Sequence, residues 1–160
     1  MSDYKTPYEF RLSFTPLDSE RGHWEGKRGE SIFIPSDETE EIRKVKYELN
    51  RHNLKGIEYK DCIPDFSPIS EDSVIIPNMT SDRDANFEQA YIAFAEKWNQ
   101  NKMDGKNDWT LESVRYWTRA NKFTLHESND MKTMFLVPTE IHDFFKHSGG
   151  VKECKVQEEL

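Results

Sequence analysis

Between residues 126 and 147 the chain gathers three of its 5 histidines, His126, His142 and His147, with the carboxylates Glu127, Asp130 and Asp143. Imidazole and carboxylate are the ligand set of zinc, nickel, manganese and magnesium sites, and a neutral imidazole is a competent general base near pH 7. The chemistry open to such a cluster is metal binding combined with proton abstraction. Taken singly, His142 or His147 reads equally as a surface or capping histidine. Their spacing also matters: five residues at about 100° each place the two roughly 140° apart on a regular helix. A shared ion therefore requires the helix to unwind near His147, which Gly149-Gly150 permits.

Side chains this far apart in sequence need a frame. Phe123–His126 alternates as a short strand does, Ser128-Asn129-Asp130 is a turn signal, and Thr133–Val137 is a second strand. Pro138 and Thr139 mark a switch to a helix, with Thr139 as its cap and Ile141, Phe144 and Phe145 as its apolar stripe. The helix is expected to stop at Gly149-Gly150. The pattern predicts a strand–turn–strand–helix finger over residues 123–148 with a metal-sized cleft between hairpin and helix. His126 falls near the end of the first strand, His142 in the helix and His147 at its last turn.

Upstream, the glycine-rich run Arg21–Ser31 reads as an ordered loop leading to a strand at 31–34. A helix follows Pro35, capped by Ser36 or Asp37, with Ile42, Val45 and Leu49 as its buried stripe and Gly56 past its end. Strands are predicted at 57–60 and 73–76 around the proline-interrupted IPDFSPIS, which must be loop or edge. Helices are predicted at 85–99, with Phe87, Tyr91, Phe94 and Trp98 inward, and at 110–120, with Val114 and Trp117 inward. The stretch NQNKMDGKND between them reads as a turn or short linker. His23, in GHWEG, and Cys62 lack neighbouring partners; loop structure accounts for the first, and a Cys-His thiol enzyme is a minor alternative for the second.

The expected class is α+β, a helical and mixed front half followed by a ββα finger. With 160 residues, 35% hydrophobic and 32% charged, the chain has room for one domain and enough aromatic bulk for a core. No apolar run of about 18 residues is present, so no membrane-spanning helix is expected, and the first residues lack the apolar stretch of a secretory signal. Two distant cysteines suit a reducing compartment. A net charge of -8 argues against a stable, non-specific grip on nucleic acid and leaves room only for a local basic patch or a bound cation.

The segment FTLHESNDMKTMFLVPTEIHDFFKHSGGV resembles the HNH/endonuclease VII superfamily nuclease domains of bacterial polymorphic toxins. The similar group carries Trp-His-His or Trp-His-Glu, then Met-Gln-Leu-Val-Pro, a further His, and His-x-Gly-Gly. The stretches WEGKRGES, GIEYKDCIPDFSP and MTSDRDANFEQA also resemble a region that accompanies this module. Leu125 stands where the family usually has Trp, Phe135 where Gln is common, and Glu127 replaces the second His. The resemblance implies one nuclease domain over residues 1–160, with an accessory region at 1–108 and an HNH-like ββα-metal core at 109–152.

It further implies a metal-dependent endonuclease acting on DNA, with RNA as the alternative substrate, and with one divalent ion, Mg, Mn, Ni or Zn. In this reading His126 is the base and Glu127 its catalytic neighbour, since the superfamily puts a ligand and the base at adjacent positions. His142, His147 and Asp130 are the metal-ligand candidates. Lys122, Lys132, Lys146 and Arg119 are the phosphate-contact candidates, each also readable as a solvated surface charge. A toxin of this kind would act in the cytoplasm of a target cell and need a cognate immunity protein. The net charge of -8 favours a neutral or basic partner, or docking beside Lys122, Lys132 and Lys146. The alternative is an inactive nuclease-like binding or inhibitor module; the charge and Leu125 favour it, and the three retained histidines oppose it.

Overall fold

The computed structural model describes residues 3–160. The elements run α1 (Tyr8–Ser13), β1 (Gly22–Trp24), β2 (Ile32–Pro35), α2 (Glu40–Asn50), β3 (Ile57–Lys60), β4 (Ile63–Pro64) and β5 (Asp72–Ile75). There follow α3 (Arg83–Asn101), α4 (Leu111–Ala120), β6 (Phe123–Glu127), β7 (Thr133–Pro138), α5 (Thr139–Phe144) and α6 (Gly150–Glu158). This is the expected α+β class, with the strand, strand, helix order of 123–148 in place. The chain folds into two compact units: residues up to Ile69 with Thr139–Ser148, and Ser70–Pro138 with Gly149–Leu160.

In the first unit the antiparallel sheet has the order β1-β2-β3-β4. The glycine-rich stretch expected as loop supplies β1, because the backbone of β2 offers it a partner: Trp24 pairs with Phe33, and Glu25 N–H donates to the Ile32 carbonyl at 2.8 Å. Strand alternation then turns Phe33, Ile57 and Tyr59 to the buried side. Gly56 is a packing residue rather than a helix stop, since a Cβ there would stand 2.2 Å from the Phe33 carbonyl oxygen. The apolar stripe Ile42, Val45 and Leu49 of α2 is buried as spaced.

The cap of α2 is Thr39, whose side chain accepts from Ile42 N–H at 3.2 Å. Ser36 and Asp37 are engaged elsewhere. Ser36 donates to the Glu20 carbonyl, and Asp37 pairs with Lys46 at 2.8 Å.

In the second unit the sheet order is β5-β7-β6, with β6 and β7 joined by the expected hairpin. Leu125, Met134 and Leu136 on one face share a core with Phe94 and Trp98 of α3 and Val114 of α4. Trp98 is its pivot: its ring lies 4.9 Å from Trp109 and 5.1 Å from Trp117, and its Nε1–H donates to Asp72 on β5 at 2.9 Å. Trp98→Ala is expected to cost about 3–5 kcal/mol, the range for deleting a buried large aromatic. Chemical denaturation checks this, and a loss below about 1 kcal/mol would show a core less dependent on that ring than its burial implies.

Two expectations shift. The linker after Asn99 begins as helix, because α3 continues to Asn101 before Lys102 (φ 52) and Asp104 (φ 55) turn the chain. At the other end Gly150 opens a new helix, α6, instead of ending the previous one. Glycines after an apolar helical stripe ordinarily cap it. Here Gly150 serves a close approach, since a Cβ would stand 2.2 Å from the Ser128 carbonyl oxygen.

Candidate metal centre

In the first unit the helix carrying His142 ends at Phe144, so His147 lies beyond it in irregular backbone rather than in a last helical turn. The angular objection to a shared site thereby disappears: the His142 and His147 rings stand 5.0 Å apart, edge to face. Local contacts explain the unwinding. Tyr59 of β3 is buried, and its hydroxyl donates to the Lys146 carbonyl at 2.9 Å. Phe144 and Phe145, consecutive and both buried, pack around Phe33 at 6.3 Å each.

Phe66 forms the floor of this pair, 5.6 Å from the His142 ring and 5.4 Å from His147. It comes from the proline-interrupted loop, and nothing in its sequence spacing marks it as a partner of histidines. His147 Nδ1 lies 2.7 Å from the Phe145 carbonyl. A carbonyl can only accept, so the proton sits on Nδ1 and the lone pair on Nε2. Burial pushes the His147 pKa down, partly offset by that same hydrogen bond. Both effects suit a neutral imidazole ligand with its orientation fixed by a second contact. The donor set therefore fits a borderline divalent cation such as zinc or nickel.

In the second unit His126 and Glu127 are neighbours on β6, so strand geometry points them to opposite faces. Glu127 shares the face of Leu125 and meets α3. Its Oε1 accepts from Arg83 Nε at 3.0 Å and its Oε2 from Asn86 Nδ2 at 2.7 Å. Burial raises its pKa, opposed by the Asn86 hydrogen bond and the Arg83 charge. His126 lies on the other face, 3% exposed, beside Phe135 at 6.2 Å between ring centres. The two adjacent catalytic candidates thus have separate surroundings.

Asp130 closes the hairpin. Its Oδ1 accepts from Lys132 N–H at 2.9 Å and Thr133 N–H at 2.8 Å, and its Oδ2 from the Thr133 hydroxyl at 2.5 Å. Arg119 and Lys122 are exposed at the start of β6, while Lys132 is exposed at the hairpin turn. Four residue steps of about 3.3 Å separate the ends of that strand, roughly 13 Å, so these cations make no single patch. Lys146 is exposed on the first unit.

The cation that sequence reasoning missed is Arg83. Its side chain is 63% exposed, yet its Nε is held by a carboxylate only 6% exposed. Its helix, capped by Asp82, starts at Arg83, ahead of the predicted start at 85, and nothing in the sequence pairs residue 83 with residue 127.

Residues 56–149 match the family described as the DNase/tRNase domain of colicin-like bacteriocin. No curated protein and no solved structure matches the chain.

Proposed function

The chain belongs to the family of DNase/tRNase domains of colicin-like bacteriocins, and from that premise we propose that it is an HNH-type, divalent-metal-dependent endonuclease acting on DNA. A nuclease domain of a bacteriocin is a toxin domain with a nucleic acid substrate. The single observation that supports the metal-dependent reading is the His142–His147 pair, with its rings 5.0 Å apart and the His147 tautomer fixed by the Phe145 carbonyl.

In this reading His142 and His147 hold the cation, which would supply charge neutralisation at the phosphoryl and leaving oxygens. His126 accepts the proton of a water molecule as its oxygen bonds to phosphorus. The P–O3′ bond breaks, its electron pair leaves on the 3′ oxygen, and that oxygen takes a proton from solvent. Glu127, committed to Asn86 and Arg83, is a positioning residue, and Asp130 holds the hairpin turn. Arg83 keeps Nη1 and Nη2 for a phosphate while Nε is engaged, and Arg119, Lys122, Lys132 and Lys146 are flanking phosphate contacts.

A second assignment within the same function exchanges one role: the superfamily that residues 123–151 resemble puts a ligand and the base at adjacent positions, and His126 is then a metal ligand rather than the base.

The test is cleavage of supercoiled plasmid and of tRNA by chain made in a cell-free system, with Mg, Mn, Ni or Zn added singly. Plasmid nicking with at least one metal, abolished by a chelator, is the expected result. Cleavage of tRNA alone would move the substrate to RNA. No cleavage of either with any metal would leave the inactive binding module in its place. An active toxin also requires a cognate immunity protein in its producer and a site of action in the target cytoplasm. We expect that partner to be neutral or basic, given the net charge of -8.

A further inference from the structure

The family match ends at residue 149, and α6 begins at Gly150. This helix nevertheless holds both backbone segments that flank the Arg83–Glu127 pair. At its first turn Glu153, completely buried, accepts from Asn129 Nδ2 at 2.9 Å, two residues after Glu127. At its last turn Glu158 Oε1 accepts from Ser81 N–H at 3.1 Å, two residues before Arg83. Between them the Cys154 thiol donates to the Met79 carbonyl at 3.4 Å. Gly150 admits the helix against Ser128, with no room for a Cβ.

The segment that α6 holds also feeds Asn86. Thr80 N–H donates to Asn86 Oδ1 at 2.9 Å, and Asn86 Nδ2 is shared between the Thr80 carbonyl at 2.8 Å and Glu127 at 2.7 Å. The polar chain therefore runs from α6 through 79–81 to Asn86, Glu127 and Arg83. A second tie runs from Glu153 through Asn129 to the same strand end. A long, exposed arginine side chain loses rotamer freedom when it binds a phosphate, and a carboxylate held from behind reduces that loss in advance. A buried carboxylate is costly unless its partners are fixed.

We propose that α6 is a positioning brace: Glu153 and Glu158 fix the Asn86–Glu127 network so that Arg83 presents its Nη1 and Nη2 to a nucleic-acid phosphate. This rests on the nuclease reading for the identity of the phosphate, but not for the brace itself.

The experiment compares Glu153→Ala, Glu153→Gln and Glu158→Ala in the full chain. The readouts are steady-state cleavage, melting temperature and the Arg83 Nε–H resonance by NMR, the last also during titration with inorganic phosphate. Glu153→Ala is expected to raise KM for plasmid about 10-fold with kcat kept, the size of one charge-assisted hydrogen bond, and to broaden or shift the Arg83 signal. Glu153→Gln keeps an acceptor for Asn129 and is expected to restore KM to within about 3-fold of wild type, a loss smaller than one neutral hydrogen bond. If Glu153→Ala does not fold, Glu158→Ala serves in its place, since Glu158 is exposed; its expected KM increase is smaller and in the same direction.

A fall in melting temperature with KM and the Arg83 resonance unchanged would reduce α6 to a stabilising helix and overturn the proposal. So would a Glu153→Gln chain no better than Glu153→Ala. Should wild type cleave nothing, the nuclease reading fails. The brace then stands or falls on whether phosphate perturbs Arg83 in wild type and less so in Glu158→Ala.

Discussion

His126→Ala is expected to lose plasmid cleavage by about 10²–10⁴-fold, the contribution typical of a general base. The fold should survive, because His126 sits on the sheet face opposite the one that joins Leu125, Met134 and Leu136 in the core of its unit. Removing the ring deletes a side chain beside Phe135 and leaves the β6–β7 backbone pairing intact. Circular dichroism and the melting temperature check the fold, and supercoiled-plasmid nicking checks the activity. Calorimetric titration with Zn or Ni then separates the two assignments of His126. Unchanged metal affinity identifies the base, and affinity reduced alongside activity identifies a metal ligand. A variant that folds and cleaves at the wild-type rate removes His126 from the mechanism altogether.

Glu127 is the natural suspect in that last case, and its surroundings bear on whether it could serve. A base must release and accept a proton near the operating pH. Burial moves the Glu127 pKa in the helpful direction. Both of its oxygens are nonetheless occupied by Arg83 and Asn86, so protonation would break a charge-assisted contact. The strand period turns His126 and Glu127 to opposite faces of the sheet.

Much of the fold was legible because each element obeys its own period. Ile42, Val45 and Leu49 fall on one helical stripe and are buried, as are Tyr91, Phe94 and Trp98. The hairpin followed from alternation on either side of Ser128-Asn129-Asp130, and Asp130 closes that turn through its own carboxylate. What escaped was decided by partners distant in sequence. The loop 21–31 became a strand because β2 was there to pair with it. The end of α5 was set by Tyr59 capturing the Lys146 carbonyl, a contact across 87 positions that no local pattern encodes. For the same reason Phe66, Arg83, Asn86 and Glu153 gave no sign of their contacts. A buried carboxylate on an otherwise polar helix looks, in sequence, like any solvated glutamate. The histidines drew notice because their residue type restricts the chemistry, whereas Arg83 belongs to a type that covers most protein surfaces.

The second large effect concerns the metal, and it can be measured without any substrate. In wild type, a saturating divalent ion bound only by the folded state raises stability by about 2.7 kcal/mol at a hundred times its dissociation constant. His142→Ala and His147→Ala each remove one imidazole of a pair whose rings stand 5.0 Å apart. Even the loss of an outer-shell partner costs about 10–100-fold in metal affinity, so loss of a ligand should cost at least that. Each single variant is therefore expected to regain part of its metal-induced rise in melting temperature, and part of its cleavage, as the metal concentration is raised. The double variant is expected to show neither at any concentration. Of the two singles, His147→Ala should be the more severe, because the Phe145 carbonyl fixes the tautomer and orientation of the His147 imidazole. If the double variant melts and responds to Zn or Ni as wild type does, the ion binds elsewhere or not at all. The pair would then be an aromatic packing contact over Phe66, and the metal-dependent reading would have lost its ligands.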